Sequence, residues 1–355
     1  MNMLLHGGNI YYYSEKYGIP PERILDFSAS INPLGAPKAA LKAIKDALPM
    51  LANYPDPSVG ELKEAVSAET GVGFESILAG NGSTELIYLF PRYFRPKTAL
   101  VLAPTFSDYS RALALSGCAV RHFGLREADG FVPDMARLEK AAAGADLVVL
   151  CNPNNPTGTL LERDALSRLA GTLVGAGKQV VIDEAFIEYA PGESLIREAA
   201  KRRGLIVLRN FTKFYGMPGL RLGYLCAHPS LVKKLDEAKE PWSVNTLAVK
   251  AAVAALSDKG FAKKSLQIFR EEQAFMLGAL GNIGGVKVFP SSANFFLVRL
   301  PENAEAGPLS ERMAEKGILI RDCSNFRGLD GRFVRLAIRT RAENERLVDG
   351  LREAL

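Results

Sequence analysis

The chain has 355 residues, of which 48% are hydrophobic and 23% charged, and a formal net charge of +5 at pH 7. This composition describes a globular protein with a sizeable core; it excludes a disordered or low-complexity chain and gives no signal for a nucleic-acid or membrane-surface partner. At about 100 to 200 residues per domain, the length predicts two domains, or a large α/β domain with a smaller companion.

No apolar run reaches the roughly 18 residues of a membrane span, and the opening Met1-Asn2-Met3-Leu4-Leu5-His6-Gly7-Gly8 has neither a basic n-region nor a long apolar core, so a cytoplasmic protein is expected. Cys118, Cys151, Cys226 and Cys323 are scattered and form no CxxC, which argues for packing rather than a disulfide framework or zinc site. His6, His122 and His228 have no metal-ligand spacing, and no metal is expected.

Along the chain, short apolar runs recur between helical patterns: Ala99 to Ala103, Leu147 to Cys151, Val180 to Asp183, Leu205 to Arg209 and Leu222 to Ala227. They are near-continuously apolar rather than alternating, the pattern of a mostly parallel sheet covered by helices on both faces. After Pro241-Trp242-Ser243 comes a long helical stretch, Asn245 to Leu280, and then strands at Val286 to Phe289, Phe295 to Leu300 and Phe333 to Ile338. These predict a smaller α+β domain. The expected division is an amino-terminal segment 1–40 belonging with the small domain, a large domain 41–243 and a small domain 244–355. Trp242 is expected to pack at the hinge. In doubly wound sheets ligands lie beyond the carboxyl ends of the strands, so those ends are where chemistry is sought.

Gly80-Asn81-Gly82-Ser83-Thr84-Glu85 follows a short apolar stretch and opens a helix; its amides and helix dipole suit an anion, although a Ser-capped Gly turn is also an ordinary helix start. Asn152-Pro153-Asn154-Asn155-Pro156-Thr157-Gly158 is a rigid loop at a strand end, able to aim an amide at a ligand or to satisfy its own turn. In Val181-Ile182-Asp183-Glu184-Ala185-Phe186 a carboxylate ends an apolar strand, which requires a partner: a salt bridge, a helix cap or a cationic ring nitrogen. Lys213, in Asn210-Phe211-Thr212-Lys213-Phe214-Tyr215-Gly216, ends a buried strand among aromatics; desolvation there lowers a lysine's pKa and yields a nucleophilic amine able to form a Schiff base. Arg221, eight residues on, suits a phosphate or carboxylate.

Taken in order, the anion turn, loop Asn, strand-end Asp, strand-end Lys and following Arg resemble the fold-type-I pyridoxal-phosphate enzymes, in the branch that holds histidinol-phosphate aminotransferase and threonine-phosphate decarboxylase. The resemblance covers essentially the whole chain. It implies pyridoxal 5'-phosphate bound to Lys213, with Asp183 on the pyridinium nitrogen and Asn155 on the ring hydroxyl. It further implies the cofactor phosphate on Gly82, Ser83, Thr84 and Arg221, and Phe106 of Pro104-Thr105-Phe106 stacked on the ring. Tyr54, in Asn53-Tyr54-Pro55-Asp56, matches a tyrosine that reaches a neighbouring subunit's cofactor phosphate, which implies a homodimer. Asn210 stands where Ser or Thr commonly binds that phosphate, and its amide can still donate.

For the substrate, the resemblance implies that Arg335 holds the α-carboxylate with help from Asn32 of Ile31-Asn32-Pro33-Leu34-Gly35. Three features lean to the decarboxylase side of the branch. The opening His6-Gly7-Gly8-Asn9 with Asp26 to Gly35 matches it, apart from Ser30 for Asn, and sets His6 towards a substrate phosphate. Gly317 to Phe326 matches its small-domain strand, with Arg321 as a phosphate ligand. Arg339 adds a cation where the aminotransferase has glycine. Phe186 replaces the tyrosine that aminotransferases carry three residues after the aspartate. The implied reaction is decarboxylation of L-threonine O-3-phosphate to (R)-1-amino-2-propanol O-2-phosphate in cobalamin biosynthesis, with histidinol-phosphate transamination as the alternative. A non-catalytic ligand-binding role is disfavoured by the joint presence of Lys213, Asp183 and Arg221.

Overall fold

The computed structural model describes residues 6–355, so the first five residues of the expected amino-terminal segment lie outside the described part. Its strands in chain order are β1 (Leu25–Asp26), β2 (Ile77–Gly80), β3 (Thr98–Ala103), β4 (Ala119–Gly124), β5 (Leu147–Cys151), β6 (Gln179–Asp183), β7 (Leu205–Asn210), β8 (Gly223–Ala227), β9 (Lys287–Val288), β10 (Phe295–Arg299), β11 (Ile318–Leu319), β12 (Arg321–Asp322) and β13 (Phe333–Ala337). Seven of them form one sheet in the order β2-β8-β7-β6-β5-β3-β4. Neighbours from β7 to β4 run parallel, while β8 is antiparallel to both β7 and β2.

The apolar runs become these strands because side chains alternate between two covered faces. Val148, Ile182 and Val207 enter one apolar core, and their neighbours Val149, Val181 and Ile206 enter the other. Each such side chain, fully buried, contributes about 1.5 to 3 kcal/mol relative to an exposed one. β4 has no counterpart among the expected strands. Arg121 and His122 interrupt its apolar character, and it lies at the sheet edge with residues no more than half-buried, where polar side chains are tolerated.

The helical stretch expected over Asn245 to Leu280 is two helices, Thr246–Ser257 and Lys259–Gly281, divided at Asp258, whose carboxylate caps the second by accepting from the Phe261 amide at 2.9 Å. Ala248, Ala251, Ala252 and Ala255 bury the first of these helices in the large core beside Leu62 and Val66. This helix, which begins just after the expected boundary at residue 244, therefore packs with the large unit. Phe269, Met276 and Leu280 of the second helix join a separate core with Phe296, Val298 and Leu336. That core lines the antiparallel sheet β12-β13-β10-β9. Leu25 and Asp26 pair in parallel with Ile318 and Leu319, and Phe27 enters the same core, which ties the amino-terminal segment to the carboxyl-terminal unit. Ile320 separates β11 from β12, so the strand expected around residues 317 to 326 is two short pieces in different sheets. No helix among the described residues is long and apolar enough to cross a membrane.

Strand direction decides where chemistry can gather. The carboxyl ends of β2, β3, β5, β6 and β7 share one sheet edge, and the antiparallel β8 brings its amino end to the same edge, with Gly80, Gly223 and Asn210 in register.

Candidate active site

At that edge lies a cavity of about 170 Å³ lined by Ser83, Thr84, Phe106, Tyr109, Cys151, Asn155, Asp183, Ala185, Phe186, Asn210, Thr212, Lys213 and Arg221. Its floor is Asp183, the last residue of β6, 3% exposed. Asp183 Oδ2 accepts from the Tyr109 hydroxyl at 2.7 Å and Oδ1 from the Ala185 amide at 3.0 Å. Burial pushes this carboxyl up to about 6, against the lowering effect of those two donors, so it is mainly ionised at neutral pH.

Lys213 follows β7 through a turn that Asn210 makes: Asn210 Oδ1 accepts from the amides of Thr212 at 2.9 Å and Lys213 at 3.3 Å. Burial, then the positive charge of Arg335, lowers the Lys213 amine to about 8. Phe186, 5.9 Å from Nζ to ring centre, lines this side with apolar surface, and Phe295 packs edge-on to Phe186 at 5.1 Å.

The anion end is built from the start of the helix Gly82–Phe94, whose Asn81 N-cap makes no side-chain capping bond. Gly82 has φ +76°, and a Cβ there would fall 2.8 Å from Arg221 Nη2. At Gly223 a Cβ would meet the Ser83 amide nitrogen at 2.4 Å, so β8 can abut this helix only with glycine. The result is a cradle of uncapped amides, two hydroxyls and a guanidinium.

Arg335 in β13 is 7% exposed. Its Nη1 donates to Asn155 Oδ1 at 2.5 Å and its Nη2 to the Ser28 carbonyl at 2.6 Å, while Nε is buried without a hydrogen-bond partner. A buried donor left over on an oriented guanidinium suits an incoming carboxylate. Burial lowers Arg335 to about 10, far above neutrality, so it stays charged. The Asn155 loop is itself anchored beside Phe106: Thr105 Oγ1 donates to Asn154 Oδ1 at 2.6 Å, and Asn154 Nδ2 to the Pro104 carbonyl at 3.0 Å.

A second cavity of about 240 Å³ is lined by His6, Gly7, Gly8, Asn9, Ser28, Arg321, Ser324 and Asn325 among others. Ser28 lines this second cavity, its Oγ accepting from the Gly8 amide at 2.8 Å, and its carbonyl accepts from Arg335, which in turn donates to Asn155 of the first cavity. His6 packs on Phe106 with ring centres 5.6 Å apart and lies 3.5 Å from Asp108. Arg321 donates to Asn325 Oδ1 at 2.8 Å.

Two of the expected substrate residues, Asn32 and Arg339, line neither of these cavities. Asn32 is buried with its amide given to the Phe214 carbonyl (2.7 Å) and Ser265 Oγ (2.8 Å) and its Oδ1 to the Leu34 amide (3.0 Å), so it joins the amino-terminal loop to the lysine loop and lines neither cavity. Arg339 pairs with Glu343 at 2.7 Å, donates to the Asp26 carbonyl at 3.3 Å and packs on Phe27, away from both cavities. Tyr54 is 82% exposed, outside its own chain's cavity, and packs on the half-exposed Trp242 at 5.1 Å; Trp242 is thus a surface residue beside Tyr54 rather than hinge filling. Tyr109, Ser28 and Cys151 escaped the sequence reading. Tyr109 stands three residues after Phe106 on a helix, where an aromatic reads as core; Ser28 acts largely through its backbone.

Pyridoxal phosphate fits what is present. The cavity combines a buried amine of lowered pKa, a buried carboxylate for a cationic ring nitrogen, an aromatic at its wall and an uncapped helix start that glycine and Arg221 shape for a phosphate.

Comparison with known proteins gives a consistent result. The model of the family described as aminotransferase class I and II matches residues 22–351. The threonine-phosphate decarboxylase of Salmonella typhimurium is 42% identical over 352 residues, covering 99% of this chain and 96% of that protein. A histidinol-phosphate aminotransferase of Desulfitobacterium hafniense is 37% identical, covering 92% and 91%. Among solved structures, the L-threonine-O-3-phosphate decarboxylase of Porphyromonas gingivalis superimposes with a TM-score of 0.83 at 30% identity, covering 93% of this chain and 98% of that one.

Proposed function

The chain belongs to the class I and II aminotransferase family, and from that premise we propose that it is a pyridoxal-phosphate-dependent carboxy-lyase converting L-threonine O-3-phosphate to (R)-1-amino-2-propanol O-2-phosphate, a step of cobalamin biosynthesis. The observation that carries the substrate class is a pair of cationic groups joined through Ser28: the buried Arg335, held between the Ser28 carbonyl and Asn155 of the lysine cavity, and the cavity that Ser28 lines with His6 and Arg321. A substrate with both a carboxylate and a phosphate answers that pair. Decarboxylation rather than transamination rests on the 42% identity to a threonine-phosphate decarboxylase over nearly the full length of both chains.

The cofactor, when bound, supplies an electron sink for the pair left at Cα when a bond to that carbon breaks. The remaining work falls to side chains. Lys213 Nζ, with a pKa of about 8, is the covalent anchor and exchanges protons near neutrality, so it supplies the proton that replaces CO₂ on the same carbon. Asp183 is the anionic partner of the ring nitrogen. Asn155 has two duties, the ring hydroxyl and the orientation of Arg335. Arg335 fixes the substrate carboxylate and so selects which bond at Cα breaks. Gly82, Ser83, Thr84, Asn210 and Arg221 hold the cofactor phosphate, and Phe106 covers the ring. His6 and Arg321 take the substrate phosphate. Phe186, with no hydroxyl, withholds a donor that aminotransferases have.

The assembly is a homodimer in which the partner supplies Tyr54. The exposed apolar side chains of Leu41, Leu48, Met50, Leu51, Tyr54 and Trp242, the last two in contact with each other, support it, because large apolar side chains gathered at a surface are normally covered. We place the enzyme in the cytoplasm. The deciding experiment mixes the yellow protein with carboxyl-labelled L-threonine O-3-phosphate and measures labelled CO₂. Release without 2-oxoglutarate is expected; amine transfer to 2-oxoglutarate with no CO₂ would turn the reading to an aminotransferase, to be tried next with histidinol phosphate.

A further inference from the structure

Tyr109 has no role in the reading above, yet its hydroxyl is committed to the residue on which that reading leans most. It lies on the helix Ser107–Leu115, 1% exposed, with its ring edge-on to Phe106 at 5.5 Å and 77°. A buried phenol needs one acceptor and usually finds a backbone carbonyl or water. Here the acceptor is Asp183 Oδ2, at 2.7 Å. Among the described residues Tyr109 is the one side chain that donates to this carboxylate, the Ala185 amide holding the other oxygen. Burial and the Asp183 charge keep the Tyr109 hydroxyl protonated well beyond neutral pH, so it serves as a fixed donor and not as a proton carrier.

Resting on the cofactor assignment made above, we propose that Tyr109 is a positioning residue: its hydroxyl holds Asp183 as an oriented carboxylate for the cofactor ring nitrogen and ties that carboxylate to the Phe106 ring through one turn of helix. Two contacts of the ring, one at its edge and one on its face, are thereby set by a single helix start. A carboxylate that loses its donor in an apolar site loses the stabilisation of its charge and the definition of its rotamer together. The second-sphere partners of metal ligands are precedent for the size of such an effect, about ten- to a hundredfold in activity.

The test is Tyr109→Phe in the cofactor-loaded enzyme, a change of one oxygen that leaves the ring packing in place. Expected is a fall in kcat of about ten- to a hundredfold with the KM for L-threonine O-3-phosphate little changed, since the substrate's anion sites are untouched. The visible absorbance of the bound cofactor should also titrate at higher pH than in wild type, because a ring nitrogen less well paired withdraws less charge from the Schiff base. The same pair of proteins is then loaded with 1-deazapyridoxal phosphate, in which CH replaces the ring nitrogen. There Tyr109 has nothing to act on through Asp183, and wild type and variant should agree in residual rate and in analogue affinity. An unchanged kcat and absorbance titration in Tyr109→Phe overturns the inference, as does a defect of equal size with the deaza analogue, which would make the hydroxyl a packing group. A wild-type chain that binds no pyridoxal phosphate overturns the cofactor assignment and this inference with it, an outcome read before any variant is made.

Discussion

Replacing Asp183 by Asn separates the cost of a buried charge from its use. In the cofactor-free chain burial raises this carboxyl from 3.8 to about 6, which corresponds to roughly 3 kcal/mol between protonated and ionised forms. The folded state therefore binds the proton more tightly than the unfolded state does. The stabilisation is complete below pH 3.8 and is lost as pH rises through about 6, the reverse of a salt-bridged aspartate. Between about pH 5 and pH 7.5 the wild type should lose about 1 kcal/mol from this group alone, and the Asn variant should lose none of it. Asn cannot accept from both Tyr109 and the Ala185 amide, which adds a penalty of about 1 kcal/mol that does not vary with pH and cancels in the difference. Urea unfolding of both cofactor-free proteins at the two pH values gives the double difference, and the carboxyl carbon of Asp183 followed by NMR gives the midpoint directly. A double difference near zero or of opposite sign, or a midpoint near 4, would refute the argument. With cofactor present the ordering should reverse, because the charge that destabilises the empty site is the one that pairs with the ring.

Lys213→Ala should abolish turnover in a folded protein that still binds the cofactor loosely; retained activity would remove Lys213 from catalysis. In wild type the rate of cofactor loading should rise with pH and level off just above 8, since the amine is lowered from 10.5 to about 8 and a larger neutral fraction gains nothing beyond that; a rise continuing towards pH 10 in stopped-flow absorbance would contradict the desolvation. Arg335→Leu should raise KM about tenfold or more and lower kcat, because hydrogen bonds to a charge and the orientation they impose are both lost; an unchanged KM would take Arg335 out of the site. Gly82→Ala should weaken cofactor binding about tenfold or more by equilibrium dialysis, through the penalty at φ +76° and the displacement of Arg221.

What could be read directly was whatever a single residue states by type and place. Continuous apolar runs specify strands covered on both faces; one of them ends in Asp183, and Lys213 comes three residues after the end of another, where a buried polar group needs a reason to exist. The family resemblance added the roles. The edge strand Ala119–Gly124 stayed hidden because an edge tolerates charge and so carries no apolar signature, and the break at Asp258 because a cap inside an apolar-periodic stretch leaves the period intact.

Only the tertiary structure decided what depends on direction and on competition for hydrogen bonds. Asn32 and Arg339 have the right chemistry for a substrate, yet Phe214, Ser265 and Leu34 engage the one, and Glu343 and Asp26 the other. Arg335 and Arg339 each keep a buried Nε without a partner, but Arg335 is held on Asn155 of the lysine cavity, whereas Arg339 is held on Glu343. Tyr109 is one more core aromatic by sequence, and becomes a ligand of Asp183 because β6 ends in register with Cys151 beneath that helix. The sequence by itself determined which groups the chain owns, since ionisation and hydrophobicity are properties of residues. Folding determined which of them remain unspent, because a hydrogen bond already made within the protein is not available to a ligand.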